Sequence, residues 1–292
     1  MASQPFHILQ SKSPSLITLP GGSCEAHLFT LHGLLSSSWD WRHMIVRLRN
    51  TGYGVIVPDL LGYGDTDKPV ELNSYAMTQM THHIVEILDI EDVGTCIGVA
   101  HDWYAPARII LFLWGSAMLS MLAIYHPDRL LRVVTVTVSY TPPGTFNYMN
   151  WFNTEEAVEL SLIGLWKTDL CPPGAARAWL KAAKTTSLPP YITVPEYLIR
   201  QNIFSDGGYR APLNWYKASM RGVNAADDAL ISEENKYLTL PNLFIQSTKD
   251  IAWGSETQVQ KIKRWARNPR IENLECGHWP QLEKPDELFI LI

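Results

Sequence analysis

The sequence has little cysteine, no excess of positive charge and no compositionally biased segment. Its four cysteines, Cys24, Cys96, Cys171 and Cys276, are far apart and fit no metal-binding spacing, so we expect reduced thiols. The net charge of -5 provides no basic field, which argues against nucleic acid as a partner. Runs of like charge and internal repeats are also missing. Residues 1–7 contain no basic stretch followed by an apolar one, so we expect no secretory signal and a cytoplasmic location.

One long segment, Ile109 to Tyr125, is uncharged and mostly apolar. A helix that spans a membrane needs about 20 such residues, and about 17 is near the lower limit. The segment contains Gly115, Ser116 and Ser120, and it follows a strand-like run closely. Because a helix that is buried on most sides is also apolar all round, we favour a buried helix. A membrane segment is the alternative interpretation.

Short apolar runs alternate with helical patterns in the first half of the chain. This alternation predicts βαβ units and an α/β fold with a mostly parallel, doubly wound sheet. Parallel strands are buried on both faces, so they lack polar alternation. The predicted strands span residues 27–31, 54–57, 96–100, 133–138, 242–246 and 270–274. Helices are predicted over about 74–88 and from Lys284 onward.

The composition changes at about Ser139, where Tyr, Trp, Pro and Asn become frequent and helical patterns replace strands. Pairs of prolines punctuate this region. We therefore predict that residues 139–236 form a helical cap inserted into a core made of residues 1–138 and 237–292.

Three residues have the chain order of a nucleophile, an acid and a histidine. Asp102 comes directly after the predicted strand 96–100 and His101, Asp250 follows the strand 242–246, and His278 follows the strand 270–274. This is the order of the α/β-hydrolase triad. Because ligands bind beyond the carboxyl ends of the strands in such sheets, we expect these side chains to meet at one edge.

A carboxylate as nucleophile indicates chemistry other than acyl transfer. Asp102 needs no base to become ionised, because the unperturbed pKa of aspartate is about 3.9. Such a weak nucleophile suits strained or activated sp³ carbon, which points to epoxides or carbon–halogen bonds. Asp102 would form an ester, and His278, supported by Asp250, would activate the water that hydrolyses it.

Other groups would stabilise the anions that form. The backbone N–H groups of Trp103 and of Leu34, just after His32-Gly33, are the predicted oxyanion donors. Tyr216, in the predicted cap, would protonate the departing alkoxide, since its hydroxyl is a neutral donor at pH 7. Packing under the lid is the alternative role for Tyr216.

By these residues the chain resembles the epoxide hydrolases of the α/β-hydrolase superfamily, of the soluble fungal and plant-like type. The segments that carry the resemblance are His32-Gly33 with Trp39–Arg42, Val57–Pro69, His101–Trp103, His126–Arg129, Pro212–Tyr216 and Gly277–Pro285.

The resemblance implies an α/β-hydrolase fold with a cap, no metal and no organic cofactor. It implies catalytic roles for Asp102, Asp250, His278 and Tyr216, and we expect Trp39 and Trp215 to contact the substrate. The expected partners are a small apolar epoxide and water, with no membrane, in a monomer or homodimer. A fungal secondary-metabolite or toxin pathway is a further expectation. Dehalogenases share the Asp-Trp pair and the histidine, so dehalogenation stays open, as does a catalytically impaired binding protein.

The chain departs from the family pattern at three places. Leu35 stands where proline is expected after His-Gly, and Leu165 stands where the second lid tyrosine is expected. Eleven extra residues, Tyr104 to Trp114, separate Trp103 from Gly115, which is the small residue expected directly after it. This segment is either a genuine insertion that remodels the nucleophile turn or the product of a gene-model error.

Overall fold

The computed structural model describes residues 26–33, 36–101, 114–143, 182, 187–205, 208–250 and 255–292. The strands within these ranges are β1 His27–Leu31, β2 Gly54–Ile56, β3 Cys96–His101, β4 Leu130–Val136, β5 Asn242–Ser247 and β6 Arg270–Leu274. The α-helices are α1 Arg42–Asn50, α2 Met77–Ile90, α3 Trp114–Tyr125, α4 Val194–Ser205, α5 Pro212–Met220, α6 Ala225–Leu230, α7 Ser255–Trp265, α8 Pro280–Glu283 and α9 Pro285–Leu291. Short 3-10 turns cover Ser38–Trp41, Leu72–Tyr75, Pro127–Arg129 and Glu234–Lys236.

The described strands form one parallel sheet in the order β2-β1-β3-β4-β5-β6. The chain runs outward from β1 to β2 and then returns to place β3 on the other side of β1. The boundary between β1 and β3 is therefore the switch point of the sheet, where ligands bind in such folds. This topology confirms the predicted α/β fold with a doubly wound parallel sheet.

Helices cover both faces of the sheet. Buried side chains of α2, α3 and α7 form the core on one face, including Ile84, Leu122 and Ile262. Residues of α1 and α9, including Met44 and Leu288, form the core on the other. Adjacent apolar residues of the inner strands alternate between the two cores, as Val99 and Ala100 do in β3, so these strands are buried on both faces.

Several element boundaries differ from those predicted. β4 begins three residues before the predicted Val133 and ends at Val136, because Thr137 has a φ of 69° that turns the chain out of the strand. The predicted helix 74–88 is a 3-10 turn followed by α2, with extended backbone at Ala76 between them. The predicted final helix from Lys284 corresponds to α9, which begins one residue later at Pro285, and the short helix α8 before it was not predicted.

The apolar segment 109–125 is described from Trp114 onward, where it forms α3. Residues 115 to 122 of α3 are buried or line the core, as predicted for a buried helix. Within the described ranges, no helix combines the length and apolar character that a membrane crossing requires.

Between β4 and β5, the described part of the predicted cap is helical and contains α4, α5 and α6. Polar contacts attach these helices to the core. Arg42 pairs with Glu196 of α4 at 2.9 Å, and the Trp215 indole N–H donates to the Leu61 carbonyl at 2.7 Å. The Asn224 side chain accepts the Met77 N–H at 2.8 Å. The exact limits of a cap domain stay a prediction.

Candidate active site

Asp250 and His278 are hydrogen-bonded to each other beyond the carboxyl ends of β5 and β6. His278 Nδ1 lies 2.9 Å from Asp250 Oδ2, and the two side chains are 9% and 6% exposed, respectively. An acid that accepts from Nδ1 fixes the orientation of the imidazole and directs Nε2 away from the acid. The pair thus has the geometry of a histidine base with its supporting carboxylate.

Backbone pairing explains why these two residues meet. Ser247 and Leu274 are opposite each other where β5 and β6 end. The pairing continues past the strands, because the Thr248 N–H donates to the Leu274 carbonyl at 2.9 Å and the Lys249 N–H donates to the Cys276 carbonyl at 3.0 Å. Two loops that are joined in this way bring the acid and the histidine together.

The loop that carries His278 is also fixed from its other side. The Gly277 N–H donates to Glu283 Oε2 at 2.9 Å. The His278 carbonyl lies 2.7 Å from Nε2 of His101, the last residue of β3, and 3.4 Å from the Thr137 hydroxyl. The carboxyl ends of β3, β4 and β6 thus converge on one loop.

Gly115, near the start of α3, packs directly on the end of β3. A Cβ at Gly115 would lie 2.1 Å from the His101 carbonyl oxygen and 3.1 Å from that of His32. Only glycine permits this approach. The contact is the one expected of the small residue two places after the nucleophile in a strand–turn–helix elbow, although eleven more residues precede Gly115 here.

His32 organises the turn after β1. Its Nε2 accepts the Leu60 N–H at 2.9 Å, so the neutral ring carries its proton on Nδ1 and donates to the Gly33 carbonyl at 2.8 Å. Burial lowers the pKa of His32 to about 4, against a smaller opposing effect of the bond to Gly33. His32 therefore stays neutral at physiological pH.

Two buried carboxylates lie near this turn. Asp59 accepts the Ser38 N–H at 2.7 Å, and burial raises its pKa to about 6 despite this bond. Asp40 accepts the Ser36 hydroxyl at 2.6 Å, and burial raises its pKa as well. Both carboxylates accept hydrogen bonds within the segment that follows His32, so they hold that segment in shape.

Trp39 and Trp215, the predicted substrate contacts, occupy different environments. Trp39 lies partly buried in the turn Ser38–Trp41, with the Arg42 guanidinium 5.0 Å from its ring centre. Trp215 is 1% exposed and contacts Tyr75 edge to face at 5.9 Å. The burial of Trp215 and its bond to Leu61 indicate that it attaches α5 to the core, and its contact with a substrate stays a prediction.

Tyr216 follows Trp215 in α5, and its side chain lies outside the part of the chain that the structure describes. Asn214 of the same helix donates to the Pro69 carbonyl at 3.3 Å. The backbone of Tyr216 is therefore held beside the loop that follows β2.

Several predicted positions fall outside the described residues. They are Asp102, Trp103, Leu34, Leu35, Leu165 and the segment 104–113. In the sequence, Asp102 directly follows His101, the last residue of β3.

Sequence reasoning missed three residues of this site: His101, Gln281 and Thr137. His101 and Gln281 were present in the strings His101-Asp102-Trp103 and His278-Trp279-Pro280-Gln281, where each stands close to a predicted catalytic residue. Their proximity in the sequence to Asp102 and His278 was the signal that could have identified them. Nothing in the sequence around Thr137 distinguishes it from an ordinary strand residue.

Metal ligation is not supported by the described residues, among which no cluster of three or more His, Cys, Asp or Glu side chains could hold an ion. Cys96 and Cys276 are buried free thiols. Burial raises the pKa of Cys276 to about 11, so this thiol stays protonated next to the Ser247 hydroxyl.

Known proteins resemble this chain over most of its length. The chain is 26% identical over 290 residues to bifunctional epoxide hydrolase 2 of Rattus norvegicus, which covers 88% of this chain and 49% of the relative. It is 26% identical over 292 residues to epoxide hydrolase A of Mycobacterium tuberculosis, covering 88% and 86% of the two chains. The crystal structure of epoxide hydrolase VrEH1 from Vigna radiata superposes with a TM-score of 0.68 at 20% identity, over 92% of this chain and 90% of that one.

The chain spans about half the length of the rat relative, 49%. The structural likeness to the Vigna radiata enzyme concerns the fold. The model of the alpha/beta hydrolase family matches residues 28–290, from β1 to α9. With the parallel sheet, the switch point and the Asp250–His278 pair in place, the chain belongs to the alpha/beta hydrolase family.

Proposed function

We propose that this protein hydrolyses an epoxide to a vicinal diol through an ester on Asp102. The observation that carries the proposal is the location of the Asp250–His278 pair. The His278 carbonyl lies 2.7 Å from the side chain of His101, the residue before Asp102. A histidine base supported by an acid is thus next to the strand end that carries a carboxylate. The relatives named as epoxide hydrolases support the same activity.

In the first step, an Asp102 oxygen attacks one carbon of the epoxide and the carbon–oxygen bond of the ring breaks. The alkoxide that leaves takes a proton, and we assign Tyr216 as the donor. No base is needed here, because a carboxylate is already ionised.

In the second step, water attacks the carbonyl carbon of the ester. His278 Nε2 takes the proton of that water, and Asp250 stabilises the imidazolium that forms. The N–H groups of Trp103 and Leu34 are the proposed donors to the tetrahedral oxyanion. The bond from His32 to the Gly33 carbonyl supports Leu34 in this role, since that carbonyl belongs to the same planar peptide as the next N–H.

The proposed substrate is a small apolar metabolite, and Trp39 and Trp215 are proposed to contact it. A position in a fungal secondary-metabolite or toxin pathway accords with this substrate class. The proposal involves no cofactor.

Styrene oxide and labelled water test the proposal directly. In a single turnover in heavy-oxygen water, we expect the diol to carry an unlabelled oxygen from Asp102, because water enters the carboxylate first. Asp102→Ala should abolish turnover, and His278→Gln should accumulate the ester, which intact-protein mass spectrometry would detect. Diol labelled in that first turnover, or full activity of Asp102→Ala, would overturn the mechanism.

Dehalogenation is the competing reaction of this nucleophile. Halide release from a haloalkane by a protein that leaves styrene oxide and an epoxy-fatty acid unchanged would replace the proposed function. A protein that forms neither diol nor halide, and no ester on Asp102, would be a binding protein.

A further inference from the structure

His101 joins the strand that carries Asp102 to the loop that carries His278. It is the last residue of β3, and none of its surface is exposed. Its Nε2 lies 2.7 Å from the His278 carbonyl oxygen, and its Nδ1 lies 3.0 Å from Nε2 of Gln281. Both ring nitrogens are therefore engaged, one by each side of the loop 278–281.

These two contacts determine the tautomer of His101. A carbonyl oxygen accepts only, so Nε2 must carry a hydrogen and donate it to His278. In a neutral ring, Nδ1 then has no hydrogen and must accept from the Gln281 amide. The reverse orientation of the Gln281 amide would place its oxygen against the lone pair of Nδ1. Both contacts are therefore hydrogen bonds only when Nε2 carries the proton and the Gln281 amide nitrogen faces Nδ1.

A second side chain, that of Thr137, lies near the His278 carbonyl. The Thr137 hydroxyl approaches it at 3.4 Å, but the same hydroxyl is closer to the Ser247 hydroxyl, at 2.8 Å. The bond from His101 is therefore the shorter of these two bonds to the His278 carbonyl. Packing adds to it, because the His101 ring lies 5.2 Å from the His278 ring and 5.1 Å from the Trp279 ring, centre to centre.

We infer that His101 is a positioning residue, which fixes the backbone of His278 relative to β3 and so sets the reach of the imidazole toward the ester on Asp102. The inference rests on the proposed function. Asp250 fixes the orientation of the imidazole ring. His101 fixes the position of the backbone to which this ring is attached. Errors of about 1 Å in such a placement lower the rate by as much as about 100-fold.

The two half-reactions separate positioning from packing. His278 takes part only in the breakdown of the ester, whereas Asp102 forms it. Loss of the His101 donor should therefore slow breakdown while formation stays nearly unchanged. A general loosening of the end of β3 would slow both steps, because Asp102 is the next residue.

His101→Gln and His101→Asn are the informative pair of variants. A Gln side chain places an amide N–H near the position of Nε2, so it can still donate to the His278 carbonyl. An Asn side chain reaches only to the level of Nδ1 and so cannot replace the Nε2 donor to the carbonyl. His101→Leu removes both polar atoms, and the exposed His82→Leu is its control outside the site.

Rapid-quench mass spectrometry with styrene oxide measures formation and breakdown of the ester in each variant. For His101→Asn and His101→Leu we expect breakdown to be about 10- to 100-fold slower, formation to change less than about threefold, and ester to accumulate. His101→Gln should recover breakdown to within about threefold of the parent, and His82→Leu should match the parent.

Breakdown at the parent rate in His101→Asn, or equal slowing of both steps in Asn and Gln variants alike, would overturn the positioning role while leaving the proposed function intact. If His101→Leu fails to fold, the comparison of Gln with Asn still decides the question. Absence of ester and diol with the parent protein would instead overturn the proposed function, and the inference with it.

Discussion

At the scale of single residues, the contact between Asp250 and His278 is the most consequential one in the site. The carboxylate holds the Nδ1 side of the imidazole at 2.9 Å, within a nearly buried pair. In that environment its negative charge is a large part of what stabilises an imidazolium. The charge, more than the hydrogen bond, should therefore matter for catalysis.

Replacement of the acid by its amide tests this. We expect Asp250→Asn to slow ester breakdown by about 10³- to 10⁴-fold, the effect of the equivalent change in a serine triad, with ester formation preserved. Intact-protein mass spectrometry during turnover of styrene oxide should then show the ester. Asp286→Asn, at an exposed surface ion pair with Arg47, is the matched control and should leave turnover unchanged. Parent-like turnover of Asp250→Asn would remove Asp250 from the mechanism.

Gly115 is the second residue with a sharp requirement. A methyl group at Gly115 would lie 2.1 Å from the His101 carbonyl, so β3 and α3 would have to move apart. We expect Gly115→Ala to lower the free energy of unfolding by about 1–3 kcal/mol or more, through overpacking, and to reduce diol formation.

Urea unfolding of Gly115→Ala and Gly94→Ala gives the comparison. A Cβ at Gly94 would meet no atom within 4 Å, and this position has no positive φ. Gly94→Ala should therefore be neutral or stabilising, by up to about 1 kcal/mol. Equal stability of the two variants would show that the approach of α3 to β3 is not close in solution.

At the scale of elements, the end of β3 and the start of α3 lie in direct contact, although an extra segment separates them in the sequence. The sequence leaves two interpretations of residues 104–114, a genuine insertion that remodels the nucleophile turn or a gene-model error. The described helix begins at Trp114, and Gly115 packs on His101. The two elements are thus in the relation of a direct strand–turn–helix elbow, with His101 and Gly115 at its two ends.

Removal of residues 104–114 tests whether the elbow needs them. The deletion joins Trp103 to Gly115 and puts a glycine two places after Asp102, as a nucleophile elbow requires. We expect the shortened protein to keep its helical circular-dichroism signal, to melt at the same or a higher temperature, and to form diol faster than the full chain.

A shortened protein that aggregates, or that forms no diol while the full chain does, would show that the segment contributes to the fold or to the site. Diol formation by the shortened protein alone would show that this segment blocks the reaction in the full chain. The proposed function would then fail for the full chain, and the roles of Asp102 and His278 would hold for the shortened protein.

Sequence patterns predicted the limits of some strands well and missed those that depend on contacts between distant residues. β1 and β6 match their predicted limits. β1 is buried from Leu28 to Leu31, whereas β6 lies at the edge of the sheet and is buried only at Leu274. The predicted end of β4 was wrong. The left-handed backbone of Thr137 ends the strand, and tertiary contacts at the site impose this conformation against the backbone preference of threonine. The His101–Gln281 contact was also missed, because it joins residues 180 positions apart.

At the scale of the whole molecule, buried titratable groups couple stability to pH. Burial lowers the pKa of His32 to about 4, and burial together with the nearby His278 lowers that of His101 well below 6.5. The unfolded chain binds protons at these residues below about pH 6.5, whereas the native protein does not, so acid favours unfolding. Asp59 acts in the opposite sense, because its pKa is raised to about 6 and the native protein holds the proton more tightly.

One substitution at His32 and one at Asp59 separate the two opposite effects of acid on stability. On acidification from pH 6.5 to 4, His32 should lower the free energy of unfolding by about 3 kcal/mol. Asp59 should raise it by a similar amount between pH 6 and 4. Urea midpoints measured at pH 7, 6 and 5 should therefore fall less steeply with acid in His32→Gln than in the parent, and more steeply in Asp59→Asn. The Gln side chain can accept the Leu60 N–H in place of Nε2, and the Asn side chain can still accept from Ser38, so both variants keep a hydrogen bond. If the slope of the urea midpoint against pH changes in the same direction in both variants, at least one of these groups is solvated in the native protein. The neutral state assigned to His32 would then be the first assignment to reject.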